Sequence, residues 1–115
     1  MGIHRTANRL GAGRGAGVTK QQLTLITLLS DGHTLMSAAK GMGSSQTALT
    51  KLLQRMEAHH GLTLVLRRGP SVTPTEELHM LAKQARKILA NMRTMEEMVE
   101  RVKQHDEANQ GESNE

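Results

Sequence analysis

Apolar residues from Leu78 to Val102 recur at alternating spacings of three and four positions. This period predicts one amphipathic helix that carries these residues on a single face. We expect the helix over residues 74–105, with Pro74 in its first turn, where proline is favoured. At about 1.5 Å per residue the helix would be roughly 45 Å long. A domain this small cannot cover that length, so the far half of the helix needs a partner.

The same apolar stripe predicts what the partner is. A second copy of the chain would bury it if the two long helices paired, so we predict a homodimer with a coiled-coil seam. The alternative is a single helix folded back on its own domain. The first half of the helix is basic and the second half acidic, which favours antiparallel pairing. The predicted dimer-interface residues are Leu78, Leu81, Ala85, Ile88, Met92, Met95, Val99 and Val102.

Two shorter helices are predicted upstream. Leucine and isoleucine at helical spacing indicate the first, over residues 19–30. The second is predicted over residues 35–42, with Thr34 placed to accept a hydrogen bond at its N-terminus.

A third helix follows a glycine. Gly43 interrupts the pattern, and Ser44 and Ser45 each offer a helix cap before residues 46–60. Two helices joined by a short turn that contains glycine are typical of a helix-turn-helix. The predicted buried stripe of the third helix consists of Ala48, Leu49, Leu52, Leu53 and Met56.

A hairpin is predicted next. Residues 62–67 favour a strand, residues 68–71 a turn, and residues 72–73 a short returning strand. A hairpin with a basic tip, directly after a helix-turn-helix, is a wing. The sequence therefore predicts a mainly α fold: a winged helix-turn-helix of three helices plus a short β-hairpin over residues 19–73, and then the long dimerisation helix.

Both ends of the chain are expected to lie outside the folded part. Residues 1–18 form a basic, glycine-rich segment that we expect to be a flexible arm. Part of it fits the dinucleotide pattern G-x-G-x-x-A, but no predicted strand precedes it, so that interpretation is set aside. Residues 106–115 are acidic and polar, and we expect them to form a disordered tail.

Composition excludes several functions. The chain has 115 residues, a net charge of +4 and no cysteine, so disulfides and thiolate metal sites are excluded. No apolar run approaches the length of a membrane span, so we expect a soluble, cytoplasmic protein with no membrane contact. The six histidines lack metal-ligand spacing, and no catalytic arrangement is present. We expect no metal, no cofactor and no enzymatic activity.

The central motif resembles a known family. The series Ala38-Ala39, a short turn, and then Ser45-Gln46-Thr47-Ala48-Leu49-Thr50 resembles the signature of LysR-type transcriptional regulators, in which Ala-Ala precedes Ser-Gln-Pro-Ala-Leu-Ser. The resemblance covers residues 19–102. Further along the chain it continues through residues 53–57, Gly61, residues 64–67, Gly69 and residues 72–76.

The resemblance implies how the chain meets double-stranded DNA. In the family, the second helix of the motif enters the major groove, the wing lies beside it, and the linker helix forms the dimer. Glutamine, threonine and lysine are suited to reading base edges, and arginines to binding phosphates. The implied base-contacting residues are Ser45, Gln46, Thr47, Thr50 and Lys51, and the implied phosphate-binding residues are Arg55, Arg67 and Arg68.

The sequence departs from the family at three points. Thr47 stands where the family has proline, and Val65 stands where the wing has phenylalanine. The family's large effector-binding domain has no counterpart in these 115 residues, so no small-molecule ligand is expected. The acidic tail favours a stand-alone protein over a fragment.

The function predicted from sequence is that of a dimeric transcriptional regulator. We expect sequence-specific binding to bacterial chromosomal DNA and repression by operator occupancy. One alternative is a dimeric, nucleoid-type protein that binds DNA without much sequence preference. Another is an interaction scaffold that uses only the seam.

Overall fold

A computed structural model describes residues 17–68 and 71–113 of the chain. These described residues form four helices and one two-stranded sheet, which confirms the predicted fold class. Most of the predicted flexible arm lies outside the described residues, as does the wing tip. The elements, numbered along the chain, are α1 (Lys20–Ser30), α2 (Leu35–Met42), α3 (Gln46–His60), β1 (Val65–Arg68), β2 (Ser71–Pro74) and α4 (Glu76–Ser113).

Local capping interactions determine where the first three helices begin and where α2 and α3 end. The hydroxyls of Thr19, Thr34 and Ser45 each accept a hydrogen bond from the amide three residues on. Gly43 and Gly61 end α2 and α3 with φ of 64° and 67°, a left-handed conformation that glycine adopts without a steric penalty. The predicted bounds of α2 and α3 are confirmed. Thr19 caps α1 and is not its first helical residue.

The core is aliphatic and lies where α1, α3 and the first turns of α4 meet. No aromatic side chain is present in the sequence, so leucines fill the centre. Ala38 and Ala39 of α2 are also buried, and their small side chains let α3 approach closely. Ala48, predicted to be buried, is exposed because it lies at the edge of the apolar stripe of α3. The fully buried large residues are Leu25, Leu29, Leu49, Leu53, Leu64 and Leu78.

The wing is a short antiparallel hairpin. Val65 pairs with Pro74 and Arg68 with Ser71. The predicted strand began at residue 62, but β1 begins at Val65. The amides of Leu62 and Leu64 donate to Glu57 of α3 and not to the opposite strand. Pro74 was predicted in the first turn of the long helix, and that is wrong: it is the last residue of β2.

Thr75 caps the N-terminus of the long helix, α4. Its hydroxyl accepts from the amide of Leu78 (3.2 Å), so it acts as the N-terminal cap. The helix then runs for 38 residues to Ser113, or about 57 Å. The prediction of a disordered tail is therefore wrong for residues 106–113. This stretch contains no proline, and the amide of Asn109 contacts the ring of His105 one turn earlier (3.1 Å).

α1 packs antiparallel along the first half of α4. At one end Ser30 Oγ contacts His79 Nδ1 (2.8 Å), and Asp31 pairs with Arg86. At the other end Lys20 Nζ lies 3.2 Å from Glu96 Oε2. The folded domain therefore extends along α4 to about Glu96, and the described side chains beyond it are exposed.

Candidate nucleic-acid interface

α3 presents one face to the core and the opposite face to solvent. Leu49, Leu53 and Met56 are buried. At 100° per residue, Thr47, Lys51 and Gln54 lie on the far side of the helix, and all three are exposed. This polar ridge is about two turns long, and it is suited to the major groove, which admits one α-helix.

The predicted base-contacting residues lie at the start of α3. Gln46, Thr47 and Lys51 are exposed and free to meet another surface, whereas Thr50 is partly buried at the edge of the core. Ser45 is exposed, and its hydroxyl accepts from the amide of Ala48 (3.0 Å). The structure therefore brings these five residues together on one turn and a half of helix.

Sequence reasoning left two residues of this surface out of the site. Gln54 lies in the same ridge as Thr47 and Lys51, and its amide can read an adenine edge. Ala48 was assigned to the core, yet it is exposed, on the same side of α3 as Lys51 three residues later. The exposure of Gln54 and of Ala48 could have been predicted from the angle of each residue around the helix relative to Leu49 and Leu53.

The predicted phosphate-binding residues differ in their surroundings. Arg55 and Arg68 are exposed, and no ion pair to either is found in the described residues. Arg67 differs, because its Nη2 lies 3.6 Å from Glu57 Oε1. The wing thus presents one arginine that is paired within the protein and one that is not.

The helix-turn-helix and the wing carry mostly positive charge. Residues 32–75 contain five cationic side chains and one carboxylate, Glu57, so their net charge is +4 with neutral histidines. That carboxylate faces Arg67 and the backbone of β1, not the ridge of α3. A positive surface beside a polar ridge attracts a polyanion such as DNA.

The predicted dimer interface divides into two groups. Leu78 and Ala85 are wrong as interface residues, since their side chains are buried within the protomer at 0% and 1% exposure. Met92 packs partly against the same core. The remaining residues are exposed on one side of α4: Leu81, Ile88, Met95, Val99 and Val102.

An apolar groove borders this exposed face. It has a volume of about 420 Å³ and lies between the start of α1, the end of α3 and α4. Val18, Leu62, Leu81 and Ile88 form part of its lining, and each of these side chains is exposed. Leu81 and Ile88, which line the groove, lie on the same face of α4 as the exposed residues Met95, Val99 and Val102.

Within residues 17–68 and 71–113, no three or more histidines, aspartates or glutamates are grouped so as to hold a metal ion. In the same part of the chain, no helix combines the length and apolar character that a bilayer span requires.

Solved structures with the same fold include several regulators. The DNA-binding domain of BenM, in complex with catB site 1 DNA, is 25% identical with a TM-score of 0.66, and the match covers 74% of this chain and 94% of that one. Full-length OxyR C199D from Pseudomonas aeruginosa is 23% identical with a TM-score of 0.67, covering 73% of this chain and 28% of that one. LysG from Corynebacterium glutamicum is 26% identical with a TM-score of 0.59, covering 74% and 29%.

The sequence comparisons give the family directly. No match was found among curated protein sequences. The family model described as the bacterial regulatory helix-turn-helix protein, lysR family, matches residues 20–77, which is just over half of the 115 residues. The matched segment contains α1, α2, α3 and the wing, so the chain belongs to the LysR family of bacterial helix-turn-helix regulators and carries its DNA-binding domain.

Proposed function

We propose that the protein is a transcriptional regulator that binds a specific double-stranded DNA site, with α3 in the major groove and the wing beside it. The observation that carries this proposal is the exposed polar ridge of α3, set within a surface that has five cations and one carboxylate. Gln46 and Gln54 have the chemistry to read adenine, and Lys51 to read guanine.

Relatives support this mode of binding. The BenM domain was solved with catB site 1 DNA and with benA site 1 DNA, at 25% identity to this chain in both cases. Each of these two matches covers 74% of this chain. A regulator that acts on chromosomal DNA works in the bacterial cytoplasm at the nucleoid.

A homodimer formed through α4 is the second part of the proposal. Antiparallel pairing centred near Met92 places Leu81 opposite Val102 of the second copy, and Ile88 opposite Met95. The distal apolar residues of each copy then cover the groove beside Leu81 and Ile88 of the other.

Charge agrees with the same register. Lys87 comes opposite Glu96 and Glu97 of the second copy, and Lys83 opposite Glu100. Parallel pairing would instead place like charges side by side. The contribution of each exposed pair is small, so the charges select the orientation while the apolar seam provides the stability.

Repression by occupancy is the regulatory mode that we propose. A dimer seated on two half-sites separated by a helical turn blocks access to the same DNA. A non-specific architectural protein is the second candidate, favoured by the strong positive charge of residues 32–75.

Fluorescence anisotropy separates the two candidates. Labelled duplex from upstream of the protein's own gene is titrated with the protein in the presence of excess unlabelled random duplex. For the regulator, binding survives the competitor, and Gln46→Ala relaxes the preference by about 1–3 kcal/mol. Gln104→Ala, on the exposed face of α4, is the matched control. Equal competition by every duplex, with no effect of Gln46→Ala, would support the architectural protein.

A further inference from the structure

The carboxylate of Glu57 connects the recognition helix to the wing. Its Oε2 accepts from the amide of Leu64 (2.8 Å) and from the amide of Val65 (3.2 Å). Its Oε1 faces the guanidinium of Arg67 at 3.6 Å. One side chain of α3 therefore holds the residue before β1 and the first residue of β1 by hydrogen bonds, and the third residue of β1 by an ion pair.

The backbone of Glu57 also binds the segment between α3 and β1. Its carbonyl oxygen accepts from the amide of Gly61, where α3 ends, and from the amide of Leu62 (3.1 Å). The amides of residues 61, 62, 64 and 65 thus converge on a single residue of α3. The side chain of Glu57 is 20% exposed, which reduces the competition from water for these bonds.

Strand geometry separates the two arginines of the wing. Successive side chains of a strand point to opposite faces, so Arg67 shares its face with Val65 and Arg68 shares its face with Leu66. Val65 is buried against the core, whereas Leu66 is half exposed. Arg67 is therefore directed back towards α3, and Arg68 is directed outwards.

We propose that Glu57 is a positioning residue that clamps the wing to the recognition helix through Arg67, and that Arg68 is the wing arginine that binds a DNA phosphate. The inference rests on the proposed function, since it assumes that the protein binds DNA. It revises the sequence-based expectation that both arginines bind phosphates. Arg67 sets where the wing lies, and Arg68 makes the contact.

The salt dependence of DNA binding distinguishes these roles. Each phosphate contact that is lost lowers the slope of log affinity against log salt by about 0.9. Arg68→Ala should lower the slope by that amount for each wing bound. Arg67→Ala should weaken binding at a fixed salt concentration and leave the slope unchanged. An equal loss of slope in both variants would overturn the proposal.

Amide hydrogen exchange tests the clamp without DNA. Glu57→Ala should accelerate exchange at Leu64 and Val65, while Leu25 in α1 keeps its protection. Glu57→Gln retains a carbonyl oxygen for the two amides, so it should keep most of their protection while losing the attraction to Arg67. Unchanged exchange at Leu64 and Val65 in Glu57→Ala would refute the clamp.

The two measurements also separate this inference from the proposed function. If the wild-type protein binds no DNA, the proposed function fails, whereas the exchange result still decides whether the clamp exists. If Glu57→Ala does not fold, Glu57→Gln and the pair of arginine variants still decide the roles. Far-ultraviolet circular dichroism of each variant verifies the fold.

Discussion

The two halves of α4 carry the same apolar period and have opposite surroundings. In the first half, Leu78, Ala82 and Ala85 are buried against α1 and the rest of the core. In the second half, Met95, Val99 and Val102 are exposed at 61%, 53% and 64%. A stripe that is continuous in sequence is therefore divided between two tasks. In its first part, Leu78 and Ala85 complete the protomer while Leu81 and Ile88 stay exposed, and its second part is available to a partner.

The largest expected difference comes from a matched pair of methionines, one in the core that covers the first half of α4 and one on its second half. Met56 lies in the core and Met98 lies on distal α4. Met56→Ala should lower the free energy of unfolding by about 2–5 kcal/mol, because it removes buried contacts and leaves a cavity. Met98→Ala should change it by less than about 0.5 kcal/mol in the monomer. Urea denaturation at low protein concentration measures both, and equal losses would show that the second half of α4 is packed as tightly as the core.

The second prediction separates the dimer from the protomer. Val99→Glu places a carboxylate in the proposed seam, so it should weaken dimerisation by roughly 3 kcal/mol or more. Gln104→Glu adds the same charge on the opposite face of α4 and should leave the association constant almost unchanged. Sedimentation equilibrium measures both variants, and a dimer that tolerates Val99→Glu would contradict the proposed seam.

A smaller effect is expected at the cap of the recognition helix. Ser45→Ala removes the acceptor for the amide of Ala48 and should cost about 1 kcal/mol of stability. Ser44→Ala, one residue earlier, is the control and should cost less than about 0.5 kcal/mol. Thermal unfolding followed by circular dichroism is sufficient, and equal effects would argue against the cap.

The smallest effect is expected where the two halves of α4 meet. Lys20 and Glu96 form an ion pair, but both side chains are more than half exposed. Glu96→Gln should therefore change stability by less than about 1 kcal/mol, and the change should decrease in high salt. Glu97→Gln is the matched control. A large, salt-independent loss in Glu96→Gln would mean that this contact fixes α1 on α4.

Local signals predicted most of the winged domain. The bounds of α2 and α3 follow from Thr34, Ser45, Gly43 and Gly61, whose effects depend only on neighbouring residues. The family resemblance is confirmed over residues 20–77. The residues predicted to read bases remain a prediction, although they do share one exposed surface.

The errors arose where a non-local contact decides the outcome. A spacing of three and four shows that Leu78 and Ala85 are covered, but it does not show that α1 of the same chain covers them. Pro74 suits both a strand end and a helix start, and the hairpin register decides between them. The pairing of Arg67 with Glu57 joins residues ten positions apart, and no local pattern indicates it.

The cap at Thr75 also has a mechanical consequence. Thr75 bonds to the carbonyl of Leu64 through its amide (2.9 Å) and through its hydroxyl (3.1 Å), so the root of α4 is fastened to the wing. Because α1 also packs along α4 as far as Glu96, this joint and that packing together set the direction of the helix relative to the wing. Over a helix of about 57 Å, a change of about 5° in that direction moves the far end by roughly 5 Å. In the proposed dimer, the stiffness of this joint sets how much variation in half-site separation the protein tolerates.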